Sequence, residues 1–293
     1  MHGPDHDERL AQLRVGMASH ASVQIASADA SDEILRRTLL ELHEPAYLAA
    51  LSEPRTGEPV LLDEFAAPGM EPDTPVSAAV AASAFEGVRT AITAAQRILE
   101  GARYSYALCR PPGHHAGPAW LGGCCYLNNA AAAAQTLREG GAGPVGILDV
   151  DIHYPNGTSA MVARMGEVRL HSLHSAPVVN SPTLTVEPKS VRERLVEFAE
   201  PPSDADYLAA LAREVELLSG SASVLVLSLG YDTVAGDPHG SWGFTPATFA
   251  AIGRVLGASE LPVCVIQEGG YALDSLAACS HAFAGGLVGG ERA

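Results

Sequence analysis

The sequence is poor in cysteine and in positive charge. Its five cysteines, Cys109, Cys124, Cys125, Cys264 and Cys279, form an odd set with no CxxC spacing. That excludes a disulfide framework and a cysteine-type structural zinc site, and it fits reduced thiols in the cytosol. Only 18 Lys and Arg stand against 34 Asp and Glu, a formal net charge of −16. Such a balance argues against a nucleic-acid backbone or an anionic membrane as partner. An acidic surface could instead draw in cationic substrates such as polyamines. No apolar run is long enough to span a bilayer. The start, MHGPDHDERL, lacks the basic and apolar regions of a signal peptide, which places the protein in the cytoplasm.

What is present is the composition of a globular protein, 47% hydrophobic and 18% charged over 293 residues. The length fits one large α/β domain, residues 1–293, better than two small ones. The first hundred residues read mostly as helix. Ser31-Asp32-Glu33 is a capped start for a helix through residues 33–51, broken near Pro45. A loop of Pro, Gly and acids leads to Thr74-Pro75, which predicts the start of a long helix stopped by Gly101. Beyond it the pattern alternates. Apolar, partly β-branched runs at 104–109, 145–150, 168–173, 224–229 and 263–267 are separated mostly by helical stretches at 128–139, 204–218, 246–256 and 273–287. Alternating strands and helices predict a parallel sheet with helices on both faces. Strands buried on both sides should be almost continuously hydrophobic, and these are.

Each of those runs ends in polar residues: CRPPGHH, DVDIHYPNG, LHSLH, SLGYD and QEGGY. Open α/β sheets bind ligands at the carboxyl ends of their strands, so the five ends define one candidate site. Asp149, Asp151 and His153 are spaced two apart, and in extended chain they share a face. Carboxylate and imidazole are ligands for zinc, and a catalytic zinc needs three protein ligands and an open position. Asp232, directly after an apolar strand, can be the third ligand, whereas Asp237-Pro238 reads as a supporting turn. His114 and His115 follow the stiff Pro111-Pro112-Gly113 turn and suit a pair beside a metal-bound water, one as general base. Asp149 and Asn156 are available to orient their far nitrogens. The glycines of Glu268-Gly269-Gly270-Tyr271 would present the Tyr271 hydroxyl to a developing oxyanion.

These motifs, RPPGHHAGPAWLGGCCYLNNAA, ILDVDIHYPNGT, LHSLH, SLGYDTVAGDP and QEGGYAL, occur in the order seen in the histone deacetylase superfamily. The sequence resembles in particular its bacterial class II and acetylpolyamine amidohydrolase branch. HDERL, LHEPAYLAAL and PDTP extend the resemblance over nearly the whole chain. The resemblance implies an arginase-like three-layer α/β sandwich with a mostly parallel sheet of about eight strands. It implies a zinc-dependent amide hydrolase, a deacetylase of a small-molecule, polyamine or acyl-lysine-like substrate. Zinc would be held by Asp151, His153 and Asp232, with His114 and His115 as the catalytic pair and Tyr271 polarising the carbonyl. It further implies a structural potassium ion held by side chains of Asp149 and Ser172 and backbone oxygens of Asp151, His153 and Leu173. Asp73 falls where a rim aspartate grips substrate, and Gly123, Cys124 and Gly270 fall along the substrate path. The ligand types admit iron(II) as well as zinc.

Two departures from the family pattern bear on substrate. Tyr154-Pro155 stand where a second histidine and a glycine usually follow the ligand histidine. The aromatic cleft wall is missing at Cys124, and the segment 175–190 contains no aromatic residue. A wider, less aromatic cleft is expected, suited to a small-molecule or bulky amide rather than a histone tail. Two other readings compete. A binuclear manganese ureohydrolase would need DAHxD and DxDxxDP patterns, for which DVDIH and DTVAGDP each lack an aspartate. A catalytically silent relative that binds a ligand or partner finds support only in the two departures. Monomer and homodimer both remain open.

Overall fold

The computed structural model describes residues 7–69, 71–176, 192–240 and 242–290. Helices α1 (Asp7–Ala18), α2 (Asp32–Leu42), α3 (Pro45–Ser52) and α4 (Ala78–Leu99) precede the sheet. Then come β1 (Tyr104–Ala107), α5 (Asn129–Glu139), β2 (Val145–Asp149), α6 (Asn156–Arg164), β3 (Val168–Ser175) and β4 (Glu193–Phe198). The chain continues through α7 (Asp204–Ser219), β5 (Val224–Leu229), α8 (Pro246–Gly257), β6 (Val263–Gln267) and α9 (Leu273–Gly289). The expected break falls between α2 and α3, and Ser31 caps α2 by accepting a hydrogen bond from Ile34 N. Helix α4 does not start at Thr74-Pro75. Its cap is Ser77, which accepts from Val80 N, because the Thr74 hydroxyl is already engaged with Asp73 and with Cys124 N.

The strands pair in parallel in the order β1-β6-β5-β2-β3-β4. Among the described residues the sheet has six strands, not about eight. The segment between α3 and α4 contributes only isolated bridges, such as Val60 with Val76, because its prolines, glycines and acids cannot sustain a ladder. The central strands β2, β5 and β6 are buried throughout, and successive side chains alternate between the two faces. Ile147, Val226, Cys264 and Ile266 join the core under α2–α6. Leu148, Leu225, Leu227 and Val265 join the core under α1 and α7–α9. This is the three-layer sandwich expected, and every strand of the parallel sheet sends its carboxyl end to the same edge.

The polar strand β4 and the short helix α6 were not legible in the sequence. Strand β4 is held to the layer beneath it by charge. Arg194 donates from Nε and Nη2 to the Glu214 carboxylate of α7 at 2.8 and 2.9 Å, and His171 Nδ1 of β3 lies 2.7 Å from it. Burial works against the Glu214 charge, but His171 and Arg194 outweigh it and lower its pKa from the usual 4.5 to about 2. A carboxylate depressed in the folded state stabilises fully above about pH 4.5, and that contribution is lost as pH falls towards 2. Glu214→Ala is therefore expected to cost about 3 kcal/mol at neutral pH, because it removes the depressed carboxylate that ties β3 and β4 to α7. Urea unfolding across a pH series should show the gap to wild type narrowing with acid. A constant gap would mean that Glu214 acts through packing alone.

Candidate active site

Sheet register sets the site. Asp149 ends β2 beside Ser228 of β5 and Ser172 of β3, so the chain leaving β2 emerges between two neighbouring strand ends. Asp151 accepts at Oδ1 from His153 N (3.0 Å) and faces His153 Nδ1 at 2.9 Å, and its Oδ2 accepts from Gly269 N (2.9 Å). Asp232, after β5, accepts at Oδ1 from Ile152 N (3.2 Å). Its Oδ2 is buried and accepts no hydrogen bond, although His153 Nδ1 lies 3.1 Å away. One donor atom from each of Asp151, His153 and Asp232 lies within 4.8 Å of the others, a spacing that could hold a metal ion. Glycine makes this approach possible. A Cβ on Gly230 would stand 2.4 Å from Asp151 Oδ2, and one on Gly269 would stand 2.6 Å from both carboxylates.

The electrostatics describe a site short of positive charge. Burial raises the Asp232 pKa, and the neighbouring Asp151 carboxylate adds to it, bringing it to about 7. Burial would lower that of His153, but Asp151 and Asp232 outweigh burial and hold the ring protonated. In the metal-free protein a proton on His153 thus supplies part of the charge a cation would bring.

The two adjacent histidines differ in state. His114 is buried with Nδ1 3.3 Å from Asp149 Oδ2 and Nε2 3.7 Å from Asp151 Oδ1. Burial pushes its pKa down, but Asp151 and Asp149 together reverse this and raise it to about 10. His115 Nδ1 lies 2.7 Å from Asn156 Oδ1. Burial and the neighbouring His114 and His153 hold it well below the usual histidine range, hence neutral. Because Asn156 Oδ1 can only accept, His115 Nδ1 carries the proton and Nε2 keeps its lone pair. The two ring centroids are 4.1 Å apart, and His115 lies 5.8 Å from the His153 ring.

Tyr271 is fixed through its backbone. Asp237 Oδ2 accepts from Tyr271 N (2.6 Å) and Ala272 N (3.0 Å), while its Oδ1 accepts from His239 N (2.9 Å). The expected turn at Asp237 therefore also supports the tyrosine loop. Burial, in the company of Asp151 and Asp232, raises the Tyr271 pKa well above normal, so its hydroxyl stays a donor. The ring lies against His239, and the Arg9 guanidinium sits 4.4 Å from its centroid.

Arg9 was not singled out from the sequence. It is 1% exposed, and it donates from Nε to Gly270 O (2.6 Å) and from Nη2 to Glu268 O (2.7 Å). Gln267 completes the arrangement by donating to Glu268 O and Gly269 O, each at 3.0 Å. Arg9→Met keeps most of the stem and removes these donors. The expected loss is about 3 kcal/mol of stability, at about 1.5–3 kcal/mol for each charged hydrogen bond with partial relaxation, read as the urea midpoint. An unchanged midpoint would contradict the assigned contacts.

The remaining sequence-predicted residues line the rim and the base. Asp73 is exposed and accepts from Gly123 N at 3.1 Å, so its carboxylate is anchored to the turn that carries Gly123 and Cys124. Gly123 has φ +55°, and a Cβ there would press to 2.5 Å from the His115 ring. Cys124, also left-handed at φ +64°, brings no aromatic ring to this wall. Most of the 175–190 segment lies outside the described residues. Ser172 is buried with Oγ 2.8 Å from His174 Nδ1. Tyr154 turns away from the donor cluster, donating to Ser159 Oγ (3.0 Å) and packing on His174, so the Tyr154-Pro155 change leaves the three donors in place.

Comparison with known proteins identifies the family and the fold. The family model described as histone deacetylase domain matches residues 4–287. Acetylpolyamine amidohydrolase 1 of Pseudomonas aeruginosa is 31% identical over 89% of this chain and 85% of its own length. Acetylpolyamine amidohydrolase of Burkholderia pseudomallei is 37% identical over 70% of this chain, a match that spans 62% of that relative. The crystal structure of an acetylpolyamine aminohydrolase from Burkholderia pseudomallei superposes with a TM-score of 0.82 at 27% identity, covering 98% of this chain and 92% of that one. The HDA15 HD domain gives 0.78 at 25% identity, covering 98% and 82%. The fold, the order of motifs and the donor cluster thus converge, and the chain belongs to the histone deacetylase family.

Proposed function

We propose that this chain, working as a single catalytic domain in the cytoplasm, is a zinc-dependent deacetylase of a small acetylated amine such as an acetylpolyamine. The observation that carries the reading is the convergence of the Asp151–His153–Asp232 cluster with two histidines of opposite protonation state and a protonated tyrosine. The residues present fit a metal. Two carboxylates and one imidazole are zinc donors, the buried Asp232 Oδ2 accepts no hydrogen bond, and glycines leave room around both carboxylates. Iron(II) suits the same set. When bound, zinc would polarise the amide carbonyl and lower the pKa of a water. His115 Nε2 takes a proton from the attacking water and returns it to the departing amine. His114, held charged by Asp149, adds positive potential beside it. Tyr271 donates to the carbonyl oxygen as that oxygen gains charge.

A potassium ion is proposed beneath the site, where the Asp149 and Ser172 side chains and the backbone oxygens of Asp151, His153 and Leu173 offer hard oxygen donors. The acidic chain and the non-aromatic wall at Cys124 favour a cationic small amine over a peptide. The deciding assay presents zinc-loaded protein with acetylpolyamines, acetyl-lysine peptides and bulkier small amides. Turnover greatest on acetylpolyamines is expected. One bound zinc with no turnover on any class would favour the silent, ligand-binding reading.

A further inference from the structure

We infer that Glu268 is a positioning residue that sets the histidine pair against Tyr271, an assignment that rests on the reading of those three residues as catalytic. Glu268 follows β6 and is fully buried. Its Oε2 accepts from Gly113 N at 2.6 Å and from His114 N at 3.1 Å, and Ser228 Oγ lies 3.4 Å from Oε1. The Pro111-Pro112 pair ahead of them has no N–H to offer, so these two amides are the first donors in the turn. One carboxylate oxygen therefore fixes the turn that carries both imidazoles.

The same short segment reaches the rest of the site. Gly269 N donates to the Asp151 carboxylate, and Tyr271 N is held by Asp237. Glu268, Gly269 and Tyr271 thus touch the histidine turn, the donor cluster and the tyrosine anchor within four residues. Glu268 is the member that couples two loops from the non-sequential strands β1 and β6. What matters in this role is reach: an acceptor oxygen at the end of a two-methylene stem, delivered to two backbone amides.

Reach and charge are separated by comparing Glu268→Gln with Glu268→Asp. The amide keeps the stem and an acceptor oxygen, whereas the aspartate keeps the charge and falls one methylene short. We expect kcat on the best acetylated amine to fall less than about fivefold in E268Q and by about a hundredfold in E268D, because a displacement near 1 Å can cost that much. KM should stay within about twofold in both, and zinc content should remain at one equivalent. A crystal structure of each variant gives a readout independent of activity: the His114 and His115 rings should shift in E268D and stay in E268Q. Rings that stay in place in both variants, or E268D outperforming E268Q, would overturn the assignment. Shifted rings in E268D combined with an inactive wild type would leave the positioning role standing and defeat the deacetylase reading.

Discussion

Tyr271→Phe is expected to lower kcat by about 10²–10³ while leaving KM nearly unchanged, the loss typical of removing one donor from a developing oxyanion. The reason lies in how the residue is held. Its backbone is fixed by Asp237 and its ring by Arg9 and His239. None of these contacts uses the hydroxyl, so the phenylalanine ring should occupy the same place. Burial keeps the hydroxyl protonated through the neutral range, so loss of the group should remove a donor at every usable pH. Steady-state kinetics with a thermal unfolding scan checks this. An unchanged kcat would remove Tyr271 from the mechanism, and a large drop in the unfolding midpoint would show that the hydroxyl has a structural role.

Asp232→Asn is expected to separate metal binding from folding. In the metal-free protein, Asp232 Oδ2 is buried and accepts no hydrogen bond, and burial together with the neighbouring Asp151 carboxylate raises its pKa to about 7. Such a group does not stabilise the apoprotein, so the substitution should leave the apo unfolding midpoint unchanged or raise it by a few degrees, as about 1 kcal/mol would in a chain of this size. The metal-bound form should respond in the opposite way. With zinc at about a hundred times its Kd, wild type gains about 2.7 kcal/mol, and the variant should gain little of this. Activity should fall by about 10³ with the lost ligand. Metal analysis and thermal scans with and without a chelator make the comparison. An apo variant several kcal/mol less stable than wild type would recast Asp232 as a structural partner.

The legible parts of this molecule were those governed by local pattern. Continuous apolar runs marked β2, β5 and β6, and the polar residues at their ends marked the edge where the donor cluster lies. The two-residue spacing of Asp149, Asp151 and His153 placed them in one crevice, and the Pro-Pro-Gly turn identified the paired histidines. The illegible parts depend on partners distant in sequence. Strand β4 alternates weakly and carries charge because its inner face meets Glu214, which no local pattern announces. Arg9 and Glu268 were overlooked because their partners are backbone carbonyls and amides, which have no sequence signature. A buried arginine or glutamate in a short motif looks the same as a solvated one until the opposing loop is known. The expectation of about eight strands came from family likeness rather than from any run of residues, and among the described residues the sheet has six; the helix start expected at Thr74-Pro75 also moved, to Ser77.

The contact from Arg9 to Gly270 spans 261 positions. The loop bearing Tyr271 is thus gripped by helix α1, which packs beside α9. During synthesis at about 5–20 residues per second, the nascent chain spends many seconds with that helix made and its receptor absent. The active centre therefore cannot assemble progressively from one end and must close late, when the β6 end meets α1. Changes in α1 should accordingly behave as lesions of the proposed active centre.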